Sequence, residues 1–172
     1  MTALEDLHAL VGGEGAPVAG ELVAVPGARP MPAVDRLAGP RTAGREAQYA
    51  LVAEAIYEGF ELHHRAGRLF DAPDEDLAVL LGDHMYALGI ERLVELADVP
   101  AVAELADTIA IASLAAARED EALLASAWGA GMAAVAEGEN AEHRAAKQLA
   151  REGGPAALDA MRTSWLRDAT SR

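Results

Sequence analysis

Residues 73–97 read PDEDLAVLLGDHMYALGIERLVELA, and this stretch decides the fold. Pro73 and the three acids after it place a rigid first-turn residue and negative charge where a helix begins, against the positive end of its dipole. Leu77, Leu81, Met85, Leu88 and Leu96 recur on one helical face, while Leu80, His84, Arg92 and Glu95 fall on overlapping turns. The pattern predicts a helix from about Pro73 to Ala97. Asp98-Val99-Pro100 then resets the chain with a cap and a first-turn proline.

The neighbouring segments have the same character. Upstream, Tyr49, Val52, Ile56, Phe60 and His63 form the stripe of a core-facing helix that starts at Arg45 and should end near Gly67 to Phe70. Downstream, a helix from Ala101 to about Arg118 is apolar nearly all round after Asp107. Glu119-Asp120-Glu121 opens another, running through Trp128 to about Glu137. Gly129 and Gly131 cost that helix about 1 kcal/mol each relative to Ala, which implies close packing there. Gly138 and Asn140 permit a break before a polar helix ending at Gly153-Gly154, and a last helix from Pro155 carries Leu158, Met161, Trp165 and Leu166. Short connections and the lack of a period-two run predict an all-α helical bundle over residues 45–172.

Residues 1–44 read differently. Thr2 and Glu5 have capping-box spacing, and Leu4, Leu7, Leu10 and Val11 follow at helical intervals until Gly12-Gly13. Pro17, Pro26, Pro30, Pro32 and Pro40, with interspersed glycines, then exclude a helix interior. This is an extended Pro/Gly-rich arm, either an unstructured tail or a strap that orders on a partner through Leu4, Leu7 and Leu10.

The chain has 172 residues and a formal charge of −14, with no cysteine. That charge repels phosphate backbones, so nucleic acid and anionic membrane surfaces are not expected partners. Without cysteine there is no disulfide, thiolate metal site or cysteine nucleophile. Glu5 and Asp6 stand where a signal peptide would be basic, giving an expectation of a cytoplasmic protein. The longest uncharged stretch, Ala122 to Ala136, falls short of the roughly 20 apolar residues of a bilayer span, so direct membrane insertion is not expected.

Few residues point to chemistry. Glu61 to His64 has the Glu-x-x-His spacing that places a carboxylate and an imidazole on one helix face, as di-iron bundles require. With Glu58, Asp83 and His84 it makes a candidate divalent-metal cluster and the alternative reading of a carboxylate/His bundle enzyme. Glu139 and His143 have suitable types but stand four apart. The acids Asp71, Asp74, Glu75 and Asp76 could hold Mg²⁺, yet their position at a helix start explains them as capping residues. Ser113, Ser126 and Ser164 lie within helix patterns and read as packing residues. The glycines after Val11 lack the Lys-Ser/Thr of a phosphate loop. No catalytic or cofactor-binding residue is assigned.

Leu77 to Leu96, with Leu81-Gly82-Asp83, followed by Val102 to Ser113, resembles the polyprenyl (isoprenyl diphosphate) synthases, in which an apolar run ending in Gly-Asp opens a core helix. Glu61 to His64 is similar to the helix leading into that family's first aspartate-rich motif. The resemblance covers Glu61 to Ala117 and implies an isoprenoid-synthase-like partial bundle. Both Asp-Asp-x-x-Asp motifs and the basic Gly-Gly-Lys-Arg motif are missing, so it implies a truncated relative without catalysis. The expectation is therefore a non-catalytic accessory subunit that binds a larger protein or its own copies, one form of which is the regulatory small subunit of an active prenyl synthase.

Overall fold

A computed structural model describes residues 2–15, 18–23, 29–72, 74–153 and 156–166. Pro17, Pro26, Pro73, Gly154 and Pro155 lie outside them, as do the side chains of Trp165 and Leu166. The chain is all-α: α1 is Ala3–Gly12, α2 Glu46–His64, α3 Glu75–Leu96, α4 Val99–Ala117, α5 Glu121–Glu137, α6 Ala141–Glu152 and α7 Ala157–Leu166, with 3₁₀ turns at Val18–Glu21 and Val34–Leu37. No strand occurs among the described residues beyond one isolated bridge between Leu22 and Phe70.

Two compact units divide the chain elsewhere than at residue 44. One comprises residues 1–34 and 47–97, the other 35–46 and 98–172. The division follows packing, since each part of the expected arm is held by a different set of helices.

In the first unit the Thr2–Glu5 capping box is complete and launches α1. Leu4, Leu7 and Val11 are buried in one cluster with Leu62, Leu69, Phe70, Leu81, Met85 and Leu88. The strap is stitched to the same unit: Val23 N–H donates to the Leu69 carbonyl at 2.9 Å and Asp71 N–H to the Glu21 carbonyl at 2.9 Å. Among the described residues, then, the arm neither hangs free nor waits for a partner. Burying α1's apolar face inside its own chain satisfies the hydrophobic drive that would otherwise favour docking elsewhere.

Helix α2 carries the expected stripe of Tyr49, Val52, Ile56 and Phe60, each at most 1% exposed, but is buried on its other faces too. It crosses α3 closely, because a methyl added to Gly89 would come within 2.6 Å of Ile56 Cδ1. Helix α3 begins with Asp74 as N-cap, its carboxylate accepting from Leu77 N–H, so the acidic run serves the cap. Leu81, Met85, Leu88 and Leu93 are buried.

In the second unit Asp98 caps α4 and pairs with Arg41 at 2.7 Å. Arg41 N–H also donates to the Ala136 carbonyl, fastening residues 35–46 to the end of α5. The face of α4 bearing Leu105, Thr108, Ile111 and Ala115 is buried, and α4 packs on α5. The approach depends on Gly131, where an added methyl would overlap the Thr108 hydroxyl. Helix α4 is also the one described helix long and apolar enough to cross a membrane, with mean hydropathy 1.5 over its window.

Candidate functional site

The proposed metal ligands do not converge. Arg68, in the loop after α2, folds back so that Nε donates to Glu58 Oε2 at 2.9 Å and Nη1 to Glu54 Oε2 at 2.7 Å. The other Glu58 oxygen accepts the backbone amides of Arg68 and Leu69, both at 2.8 Å. Three donors and the Arg68 charge already satisfy most of this carboxylate, which makes it a poor ligand for a further cation. Glu61 accepts a hydrogen bond from Tyr57. His64 is exposed and lies against the Phe60 ring, and burial with the neighbouring His63 and Arg65 charges lowers its pKa. Asp83 stands 3.2 Å from His63, and His84 Nε2 is 2.6 Å from Glu14 Oε2. Among the described residues no three His, Asp or Glu side chains form a metal-holding group. The divalent-metal alternative on Glu58, Glu61, His64, Asp83 and His84 is thus corrected: among the described residues these side chains do not come together in a group that could hold a metal ion. Of the expected docking residues, Leu4 and Leu7 are core, 2% and 0% exposed, and Leu10 packs on the same cluster.

The second unit contains a polar centre that sequence reading passed over. Lys147, the chain's single lysine, places Nζ 2.8 Å from Glu104 Oε2, Asp107 Oδ2 and Glu139 Oε1. Both Lys147 and Glu104 are 5% exposed. Burial alone would lower the lysine pKa, but the three carboxylates outweigh it and hold the pKa above its ordinary value. An ammonium held between three carboxylates is a poor nucleophile, and its role here is that of a counter-ion. The other Glu104 oxygen lies 2.7 Å from His143 Nε2, and His143 Nδ1 is 3.3 Å from Ser164 Oγ.

Serine, histidine and glutamate in that order have the make-up of a hydrolytic triad, so access decides what they do. The Ser164 hydroxyl is buried at 4% exposure inside α7 and donates to the Met161 carbonyl at 3.0 Å. The cavity beside it, lined by Ala130, Gly138, Asn140 and His143, holds about 10 Å³. That is room for one water and no substrate. The array therefore ties α4, α6 and α7 together. Its sequence signal was Glu139, His143 and Lys147 at intervals of four, one face of a helix start.

A separate feature lies on the surface of α3. Leu80, Ile90 and Val94 are 65%, 48% and 69% exposed on a helix whose opposite face is core. No family model, curated protein or solved structure matches the chain.

Proposed function

We infer that the chain is a non-catalytic helical interaction subunit that docks through α3 on a larger protein. The observation that carries the reading is the exposed stripe: Leu80, Ala87 and Val94 stand seven residues apart, with Asp83, Ile90 and Ala97 at the alternating positions. This is the spacing with which one helix seats another. Three large aliphatic side chains left in water on one face mark an interaction surface.

The charge around the stripe selects the partner. The exposed charged residues of α3 are Glu75, Asp76, Asp83, Glu91 and Glu95, all acidic, and its one arginine, Arg92, pairs with Glu95 at 3.0 Å. A second copy would set acid against acid, so the occupant is a different protein presenting an amphipathic helix with a Lys/Arg rim. The stretch resembling the polyprenyl synthases, Leu77 to Leu96, includes most of this helix. That supports a narrower form in which the partner is an active prenyl synthase, and adding the chain would change its product length.

The test is affinity purification of the tagged chain from its native host in mild detergent, beside the variant Leu80→Asp/Val94→Asp. The reading expects a stoichiometric partner with the original chain and its loss with the variant, whose helical circular dichroism stays unchanged. A solitary monomer, or equal capture by the variant, overturns it.

A further inference from the structure

We propose that Lys147 is an acylation site that opens to an activated acyl donor, a thioester or an acyl phosphate, only when α6 parts from α4, and that the acyl group then keeps the two helices apart. Lys147 is the chain's single lysine, so chemistry directed at a side-chain amine has one target. In the folded chain that target is closed twice. The residue is buried, and Nζ is held at 2.8 Å by Glu104, Asp107 and Glu139, which keep it protonated and without a lone pair.

What fastens α6 is mostly charge. Its buried residues are His143, Ala146, Lys147 and Ala150, and its one leucine, Leu149, is exposed, so the helix commits little apolar surface to the core. Helix α4 meets it instead through Glu104, which serves His143 and Lys147, and through Asp107, which serves Lys147 and Arg151. The Asp107 and Glu139 side chains are 32% and 31% exposed, so water reaches both and can replace the lysine there. A helix with few buried apolar contacts opens at lower free energy than the whole fold. Lys147 is thereby freed while α4 and α5 stay packed through Leu105, Ile111 and Ala115 on one side and Leu124, Trp128 and Val135 on the other.

Once α6 is open, Nζ is an ordinary lysine amine. It loses one proton to solvent, attacks the acyl carbon and forms a C–N bond. The bond from that carbon to oxygen or sulfur breaks, its electron pair leaves with the phosphate or thiolate, and a second proton passes from nitrogen to solvent. The product is a neutral amide, which cannot act as a counter-ion. Closing α6 would then bury Glu104 with His143 as its remaining partner, and would bring Glu104, Asp107 and Glu139 together with no ammonium between them. Acylation thus turns a transient opening into a lasting one.

The experiment is acetylation of the full chain by acetyl phosphate, followed at Lys147 by mass spectrometry, in buffer and in urea up to and beyond the unfolding midpoint. Lys147 should react at least about thirtyfold more slowly in the folded chain than in the unfolded one, and its rate should rise with urea less steeply than the unfolded fraction, the mark of a local opening. Asp107→Asn, which removes one part-exposed pair, should speed the reaction about fivefold with circular dichroism unchanged. Chain acetylated while unfolded and returned to buffer should exchange the amides of residues 141–152 at least about tenfold faster than unmodified chain, with α4 and α5 still protected. Lys147→Gln should do the same, whereas Lys147→Arg, which keeps the charge, should not. Acetylation of the folded chain within about threefold of the unfolded rate, a urea dependence equal to that of global unfolding, or unchanged exchange in the acetylated chain overturns the proposal. So does loss of the whole helical signal on acetylation, which would tie the mark to unfolding rather than to α6.

Discussion

Replacing Lys147 by Met removes one ammonium and leaves the side-chain volume nearly unchanged, so its effect isolates the charge. In the folded chain Nζ serves Glu104, Asp107 and Glu139, each at 2.8 Å. Asp107 and Glu139 have side chains about one-third exposed, and water can replace the lysine there. Glu104 is different: its side chain is 6% exposed, and it would keep only His143 at 2.7 Å. Removing one partner of a buried ion pair costs about 3–5 kcal/mol because the other charge is stranded. With His143 retained the lower end applies, about 3 kcal/mol. At about 2–4 °C per kcal/mol for a chain of this size, the melting temperature should fall by roughly 6–12 °C. Thermal and urea unfolding followed by circular dichroism give the numbers. The double variant Lys147→Met/Glu104→Gln removes both charges and should recover about 2 kcal/mol relative to the sum of the single losses. A single-variant loss below about 1 kcal/mol, or strict additivity in the double variant, would refute the view that Lys147 is the counter-ion of a buried carboxylate.

Leu7→Ala tests where α1 belongs: Leu7 is 0% exposed, so stability should fall by about 3 kcal/mol in urea, whereas a leucine reserved for a partner would change it by less than about 0.5 kcal/mol. Gly131→Ala should cost about 1–3 kcal/mol by forcing the added methyl against Thr108, and Thr108→Ala in the same chain should return part of that loss; equal stability of Gly131→Ala and the original chain would show that α4 and α5 can part without cost.

The helices were legible because their signals are local. The Thr2–Glu5 box and Asp98 before a first-turn proline each act within four residues of sequence and form the caps their spacing implies. The end of α2 was misplaced because a distant demand sets it. The chain leaves the helix at His64 so that Arg68 can turn back to Glu58, and at Gly67 even a methyl would press on Leu62. The polar centres stayed hidden for the same reason: Glu104 is 39 residues from His143 and 43 from Lys147, and periodicity carries no information at that range.

Helix α3 shows a subtler limit. Its leucines at 77, 80, 81 and 88 and its valines and isoleucine at 79, 90 and 94 spread apolar character over two faces, and a moment taken along the sequence cannot choose between them. The glycines choose. Gly82 and Gly89 stand seven residues apart and allow α2 to approach, which commits Leu81, Met85 and Leu88 to the core and turns Leu80, Ile90 and Val94 outward. A helix of a chain this acidic could have filled those outward positions with Glu at no cost to its own packing, as it did at 91 and 95. None of the described residues covers the stripe, and that is what the proposed docking through α3 rests on.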